Sequence, residues 1–283
     1  MPDYILVLFL ILLFLNVYVR RKYTKDVCVI THEGYNNDHE FWVQLKKGLD
    51  DGSNDTKITY DYKSTSNSTD MANAILTASN NNTHAIILSL PTITSRIKTV
   101  LSSANKKNIK IIIINTGRYK HALNYVGMDN VKSSHILGSE IYTNHSKGAL
   151  LIYSSNNLSV NERLNGLRKS GLSVVPVVNK YEYLQKMIKS FTTFAIITAD
   201  TQSLINTIKV LNNLNDSRKV FTYDLTRTST KYYDQNRLHI IISQQQYMQG
   251  YMPFILLHKY NKNKLRINND ILTGPSLFTA KTS

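Results

Sequence analysis

From residue 26 onward the chain alternates short apolar runs with stretches of helical period, and this alternation restricts the fold more than any other feature. The runs are "VCVIT" (27–31), "KITY" (57–60), "HAIILSL" (84–90), "IKIIIIN" (109–115), "ALLIYS" (149–154), "SVVPVV" (173–178), "FAIITA" (194–199), "KVFTY" (219–223) and "LHIIIS" (238–243). Most are nearly continuous in Ile, Val and Leu, the pattern of strands covered on both faces. Between them, "TSRIKTVLSSANKK" puts Ile97, Val100, Leu101 and Ala104 on one stripe. "DTQSLINTIKVLNNL" repeats the pattern with Leu204, Ile208 and Leu211, behind Asp200 or Thr201 as a cap. Strand alternating with helix predicts parallel βαβ units in doubly wound sheets. About nine strands are too many for one compact sheet of ordinary size, so the expected fold class is α/β with two Rossmann-like lobes.

Composition narrows the function. A hydrophobic fraction of 42% and a charged fraction of 19% over 283 residues suit a folded chain rather than a disordered one. The formal net charge of +15 invites a nucleic-acid reading, but the lysines are spread in ones and twos with no interleaved aromatics, which argues for solvated surface and no nucleic-acid partner. Cys28, the single cysteine, sits in an apolar run and reads as a small core residue. The eight histidines form no metal-ligand spacing, and no GxGxxG or Walker-type loop is present, so no metal or cofactor is expected. With no GxSxG elbow and no paired carboxylates at a defined spacing, the chain does not read as an enzyme.

Residues 1–25 have a different character. "YILVLFLILLFLNVYV" (4–19) is apolar except for Asn16, and "RRK" follows at once. With no basic n-region and no small-residue cleavage site, the run reads as an uncleaved signal-anchor, a transmembrane helix placed before the two lobes. The expected localisation is therefore membrane-anchored and single-pass, with room for a membrane-protein partner. The positive-inside rule would keep "RRKYTK" cytoplasmic, a single weak vote that leaves the side open.

In doubly wound sheets, ligands sit outside the carboxyl ends of the strands. Polar residues follow several runs there: Asn115, Asp200, Asp224, and Gln244 with Gln245. Each could be an ordinary cap or turn residue; together they suggest a shared polar pocket.

Six segments, in order, resemble the type I periplasmic sugar-binding proteins of the ribose- and galactose-binding class. "ITHEGYNNDHEFWVQLKKGLDD" resembles their first strand, loop and helix, with Phe41, Trp42 and Gly48 in register and His39 and Glu40 in the usual polar and proline places. "INTGRYKHALNYVGMDN" resembles an Asn-Ser-Gly-like turn leading to Val-Gly-x-Asp. "NERLNGLRKSG" resembles an Arg-x-x-Gly-Phe helix, with Arg163 and Gly166 on the motif. "VFTYDL" resembles the strand ending in a ligand-binding Asp, "SQQQYMQGYMPF" an Asp-Gln-Gln-Pro-Tyr-x-Gln-Gly-Tyr signature, and "ILTGPSLFT" the closing strand. Ser243 replaces the usual acid and Gln246 a proline, and the strand–helix connection after Leu167 is short, as if the second lobe were trimmed.

The resemblance implies a three-crossover hinge near 129–131, 243–246 and 272–275. Residues 26–129 with 245–273 would form the first lobe and 130–244 with 274–283 the second. It implies a non-catalytic protein that closes on a sugar or similar polyol held by His39, Phe41, Trp42, Asn115, Arg163, Asp200, Asp224 and Gln244. The alternative is an interaction or glycan-adhesion protein with a decayed cleft.

Overall fold

The computed structural model describes residues 26–32, 40–81, 83–116, 118–263 and 270–279. Two six-stranded sheets organise them. The first sheet takes β1 (Val27–His32), β2 (Tyr60–Thr65), β3 (Ala85–Leu88), β4 (Lys110–Ile114), β5 (Asn124–Gly127) and β11 (Ile271–Leu272), in the order β11-β5-β4-β3-β1-β2. The second takes β6 (Gly148–Tyr153), β7 (Ser173–Val178), β8 (Ala195–Thr198), β9 (Val220–Tyr223), β10 (Leu238–Ser243) and β12 (Ser276–Thr279), in the order β12-β10-β9-β8-β6-β7. All neighbours are parallel except β12, which runs antiparallel to β10. The second sheet thus has as many strands as the first, and the short connection after Leu167 removes none of them.

The helices are α1 (Glu40–Thr56), α2 (Ser68–Asn80), α3 (Ser95–Lys106), α4 (Asn130–Asn144), α5 (Leu158–Lys169), α6 (Tyr181–Ser190), α7 (Thr201–Asn213), α8 (Arg227–Asp234) and α9 (Gln246–Asn263). Alternation along the strands sends apolar side chains to both faces of each sheet. In the first sheet, Ile30, Ile86, Leu88, Ile111 and Ile113 pack with α2 and α3 residues such as Met71 and Leu101. Val27, Val29, Ile87, Ile112 and Ile114 pack on the other face with Leu45 and Leu49 of α1 and Phe254 of α9. The second sheet repeats the arrangement, with Leu151, Ile197 and Phe221 toward α4 and α5, and Leu150, Ile152 and Ile196 toward α6 and α7.

Two helix pairs approach each other through glycine. A Cβ on Gly48 of α1 would lie 2.0 Å from the Tyr247 carbonyl oxygen, and one on Gly250 of α9 would lie 2.0 Å from that of Leu45. In the second lobe, a Cβ on Gly166 of α5 would lie 2.2 Å from the Val131 carbonyl oxygen of α4. The pairs flank the segments where the chain passes between sheets, so they fix how each lobe meets the hinge.

One part of the expected fold class is corrected. The sequence reading puts a transmembrane helix ahead of the lobes; among the described residues, no helix is long and apolar enough to cross a membrane. The longest, α9, is broken by Gln249, His258, Lys259 and Lys262. The run 4–19 itself lies outside the described residues.

Candidate functional site

Apart from the closing strands β11 and β12, both sheets have strand order 2-1-3-4-5, so each has a switch point beside its first strand where crossovers depart to opposite faces. The carboxyl ends at the two switch points face one cleft of about 270 Å³. Phe41, Trp42, Asn115, Arg163, Asp200, Asp224 and Gln244 all line it. His39, the remaining expected site residue, lies outside the described residues.

Asp224 follows β9 and is 5% exposed; Gln244 follows β10 and is 2% exposed. The Gln244 amide donates to Asp224 Oδ1, which orients both side chains. With its Nε2 so used, Gln244 Oε1 is buried without a hydrogen-bond partner. Gln244 lies between the lobes at the hinge: its carbonyl accepts from Thr273 Oγ1 and Gln249 Nε2, both at 2.8 Å.

Arg163 extends from α5 and is 4% exposed. Nε donates to Asn130 Oδ1 at 3.2 Å and Nη1 to the Ala199 carbonyl at 2.6 Å. The guanidinium stacks 4.1 Å from the Tyr223 ring centroid. Burial pushes the Tyr223 hydroxyl up to about 12, against the opposing pull of Arg163 and the bond to Ser134, so the ring stays neutral beneath the cation. Three anchors hold the fork flat, and Nη2 is the nitrogen they leave over for the cleft.

Phe41 and Trp42, at the start of α1, form the aromatic wall, edge to face with centroids 5.1 Å apart. Phe41 is buried in the core behind it, while Trp42 is partly exposed. An aromatic face opposite carboxylate, amide and guanidinium can hold a molecule with one apolar face and a rim of hydroxyls.

Asp200 lines the cleft but is heavily committed elsewhere. Oδ1 accepts from Ser203 N at 2.8 Å in a capping box on α7, and from Ser154 Oγ at 2.7 Å; Oδ2 accepts from Ser154 N at 2.8 Å. Three of about four acceptor positions are thus taken, leaving Asp200 to shape the wall more than to receive a ligand.

Sequence reasoning passed over His32, Ser89, Thr116, Ser154 and Gln202, which also line the cleft. His32 ends β1, and its Nδ1 is buried without a partner. The rule that found Asn115 and Asp224, a polar residue directly at a strand's carboxyl end, reaches His32, Ser89 and Ser154 equally.

Backbone conformation marks the same place. Among the described residues, seven non-glycine residues have positive φ. Lys57, Asn108, Asn215 and Asn236 follow helix ends, where the left-handed conformation is ordinary. The other three, Asn115 (61°), Asp224 (75°) and Gln245 (54°), stand at the carboxyl ends of β4, β9 and β10. Such strain persists where the surroundings hold it, and here it aims polar side chains into the cleft or turns the hinge. A larger hollow of about 670 Å³ opens at the opposite pole of the first lobe, by Asp26, His84 and Lys110. It sits at the amino ends of the strands and gathers no comparable set of buried polar groups.

Two doubly wound lobes with a polar cleft at their facing switch points define a two-lobed binding protein. The comparisons agree: residues 34–265 match the family model of the periplasmic binding protein domain, and the chain belongs to that family. Among solved structures, it is similar to a carbohydrate transporter from Acidothermus cellulolyticus in complex with myo-inositol (TM-score 0.81, 19% identity, covering 92% of this chain and 96% of that one). It is also similar to a periplasmic sugar-binding protein of an ABC sugar transporter from Legionella pneumophila (0.78, 20%, 88% and 100%). A third is a glucose-galactose binding protein from Geobacillus stearothermophilus (0.78, 16%, 92% and 99%). At these identities the likeness establishes the fold. No curated protein matches the chain in sequence.

Proposed function

We propose that the chain binds a sugar or similar small polyol in the interlobe cleft and releases it unchanged. Asp224 accepts a ligand hydroxyl, Arg163 Nη2 donates to another, and Gln244 Oε1 and His32 Nδ1 take up further hydroxyl protons. The ring of Trp42 covers an apolar face. The observation that carries this reading is the convergence of these groups on one cleft, three of whose buried polar atoms, Gln244 Oε1, His32 Nδ1 and Ser159 Oγ, have no hydrogen-bond partner among the described residues. Buried polar groups are seldom left unpaired, and a polyol is the kind of molecule that would pair them while stacking on an aromatic ring. The three structural relatives named above, described as carrying or binding carbohydrates, glucose and galactose or myo-inositol, support the same ligand class.

The test is a thermal-shift screen against myo-inositol, hexoses and pentoses, followed by titration of Trp42 fluorescence. Trp42 is the only tryptophan, so the signal reports on the cleft wall directly. A ligand at about a hundred times its Kd should stabilise the protein by about 2.7 kcal/mol. No stabilisation and no fluorescence change with any member of the panel would sink the proposal in favour of a decayed cleft.

A further inference from the structure

We infer that Glu40 is a positioning residue that ties the aromatic wall of the cleft to the opposite lobe. It is the first residue of α1, and the next two, Phe41 and Trp42, are that wall. Its carboxylate reaches out of its own lobe: Oε2 accepts the backbone N–H of Thr228 at 2.9 Å, and Oε1 accepts the Thr228 hydroxyl at 2.8 Å. Thr228 lies in the first turn of α8, in the second lobe, where backbone N–H groups have no partner inside their own helix. The helix's own cap, Thr226, serves a different amide, that of Ser229. Glu40 therefore completes the capping of α8 from across the cleft, at the end of the helix where negative charge is favoured.

Only Leu225 and Thr226 separate α8 from Asp224, so holding Thr228 also holds the acid on the facing wall. On another side of the cleft the lobes meet again, where Leu158 N donates to the Pro91 carbonyl at 3.1 Å. The two contacts bracket the site, and of the two, the one at Glu40 depends on charge. Burial by itself would raise the Glu40 carboxyl, but the hydrogen bonds from Thr228, with further ones from Thr226 and Arg227, outweigh it and hold the carboxyl below its ordinary value. The bridge is thus fully present above the ordinary value of 4.5 and is lost as pH falls through the lowered one. Arg227 of α8 and Tyr247 of α9 line the groove beside Glu40, and further along α1, Lys46 and Asp50 are paired with each other at 2.6 Å.

The inference rests on the cleft being one that opens and closes, and the experiment measures that without any sugar. Spin labels on Lys98→Cys in α3 and Lys186→Cys in α6, both exposed, report lobe separation by pulsed electron paramagnetic resonance. Cys28 does not interfere, because it is 4% exposed and burial pushes its thiol up to about 11. At pH 7 without sugar the labelled protein should show two populations, a closed one at short distance and a separated one. Glu40→Gln, which keeps the shape but loses an acceptor, should raise the separated population about three- to tenfold. Thr228→Val, which removes only the hydroxyl arm, should shift it less and in the same direction. Lowering the pH from about 7 through the lowered Glu40 value should separate the lobes in the parent and leave Glu40→Gln unchanged. Equal distance distributions in parent and Glu40→Gln at pH 7, or a pH response that survives in Glu40→Gln, would overturn the inference whether or not any sugar binds.

Discussion

Asp200 and Asp224 look alike in sequence, each an acid directly after an apolar strand, yet their surroundings divide their work. Asp200 spends its oxygens on Ser154 and on the cap of α7, whereas Asp224 is buried against Gln244 at the hinge. Asp200→Ala should therefore lower stability by about 0.5–2 kcal/mol, the usual cost of an N-cap, with little change in sugar affinity. Asp224→Ala should weaken binding by about 1.5–3 kcal/mol, as should Arg163→Ala, while Lys98→Ala on an outer helix costs nothing. Denaturant melts and Trp42 titrations separate the two effects, and equal affinity losses for both aspartates would refute the division. A sequence reports that an acid ends a strand, but not which amide reaches it first, so this difference was not legible. The left-handed backbone at Asn115 and Asp224 left a faint trace, since Asn and Asp tolerate it best. A second residue-level prediction concerns His239, which stacks with Phe221 and lies 4.6 Å, centroid to centroid, from His145. Burial, then the neighbouring His145 and Lys219, push its imidazole down to about 4 from an ordinary 6.5. The folded state thus holds His239 neutral, and the stability this brings is complete above about 6.5 and drains away as pH falls toward 4. His239→Phe should flatten the stability profile across that window, and an unchanged profile would count against it.

Among the elements, the alternating runs carried the strand–helix order because buried parallel strands need apolar side chains on both faces. The reading faltered where that need lapses. "KITY" suggests a strand at 57–60, but β2 runs Tyr60–Thr65 as an edge strand with a half-exposed pattern, so Lys63 and Asp61 are at home in it. β5, "NYVG", has no apolar run to mark it, unlike the equally short β3, β8 and β9. Pro176 inside "SVVPVV" argues against a central strand, and β7 is indeed at the edge, where a missing N–H costs least. The glycine contacts between helices were legible only as motif letters; their physical reason is backbone proximity. Gly→Ala within a helix ordinarily gains about 0.5–1 kcal/mol. At Gly48, Gly250 and Gly166 the added methyl meets backbone oxygens at 2.0–2.2 Å, so each substitution should instead cost about 1–3 kcal/mol. Denaturant midpoints for the three variants check this, and any that gains stability would show that its helix pair can part without penalty.

For the molecule as a whole, each lobe carries its own two apolar layers, and the lobes meet through polar contacts: Glu40 with Thr228, Pro91 with Leu158, and Gln246 Nε2 with the Leu225 carbonyl at 3.4 Å. Rigid bodies joined by a few hydrogen bonds and three chain segments move by hinge rotation rather than by repacking. Opening costs a small number of solvent-exchangeable bonds, so closure is governed by whatever bridges the cleft. In the proposed reading a bound polyol would add contacts to Asp224, Gln244 and Arg163 on one side and to Trp42 on the other, and it could shift the equilibrium only by its differential affinity for the closed form. Small-angle scattering should therefore show a smaller radius of gyration at saturating sugar than without it, with the sugar-bound profile matching the structure described above. Asp224→Ala should need more sugar to reach the same compaction, because it loses a contact made across the closed cleft, while its sugar-free radius stays that of the parent. Glu40→Gln should do the reverse in part, expanding the sugar-free form and leaving the saturated form compact. If Trp42 reports saturation while the radius of gyration does not move, binding occurs without closure, and the hinge reading falls even though the site stands.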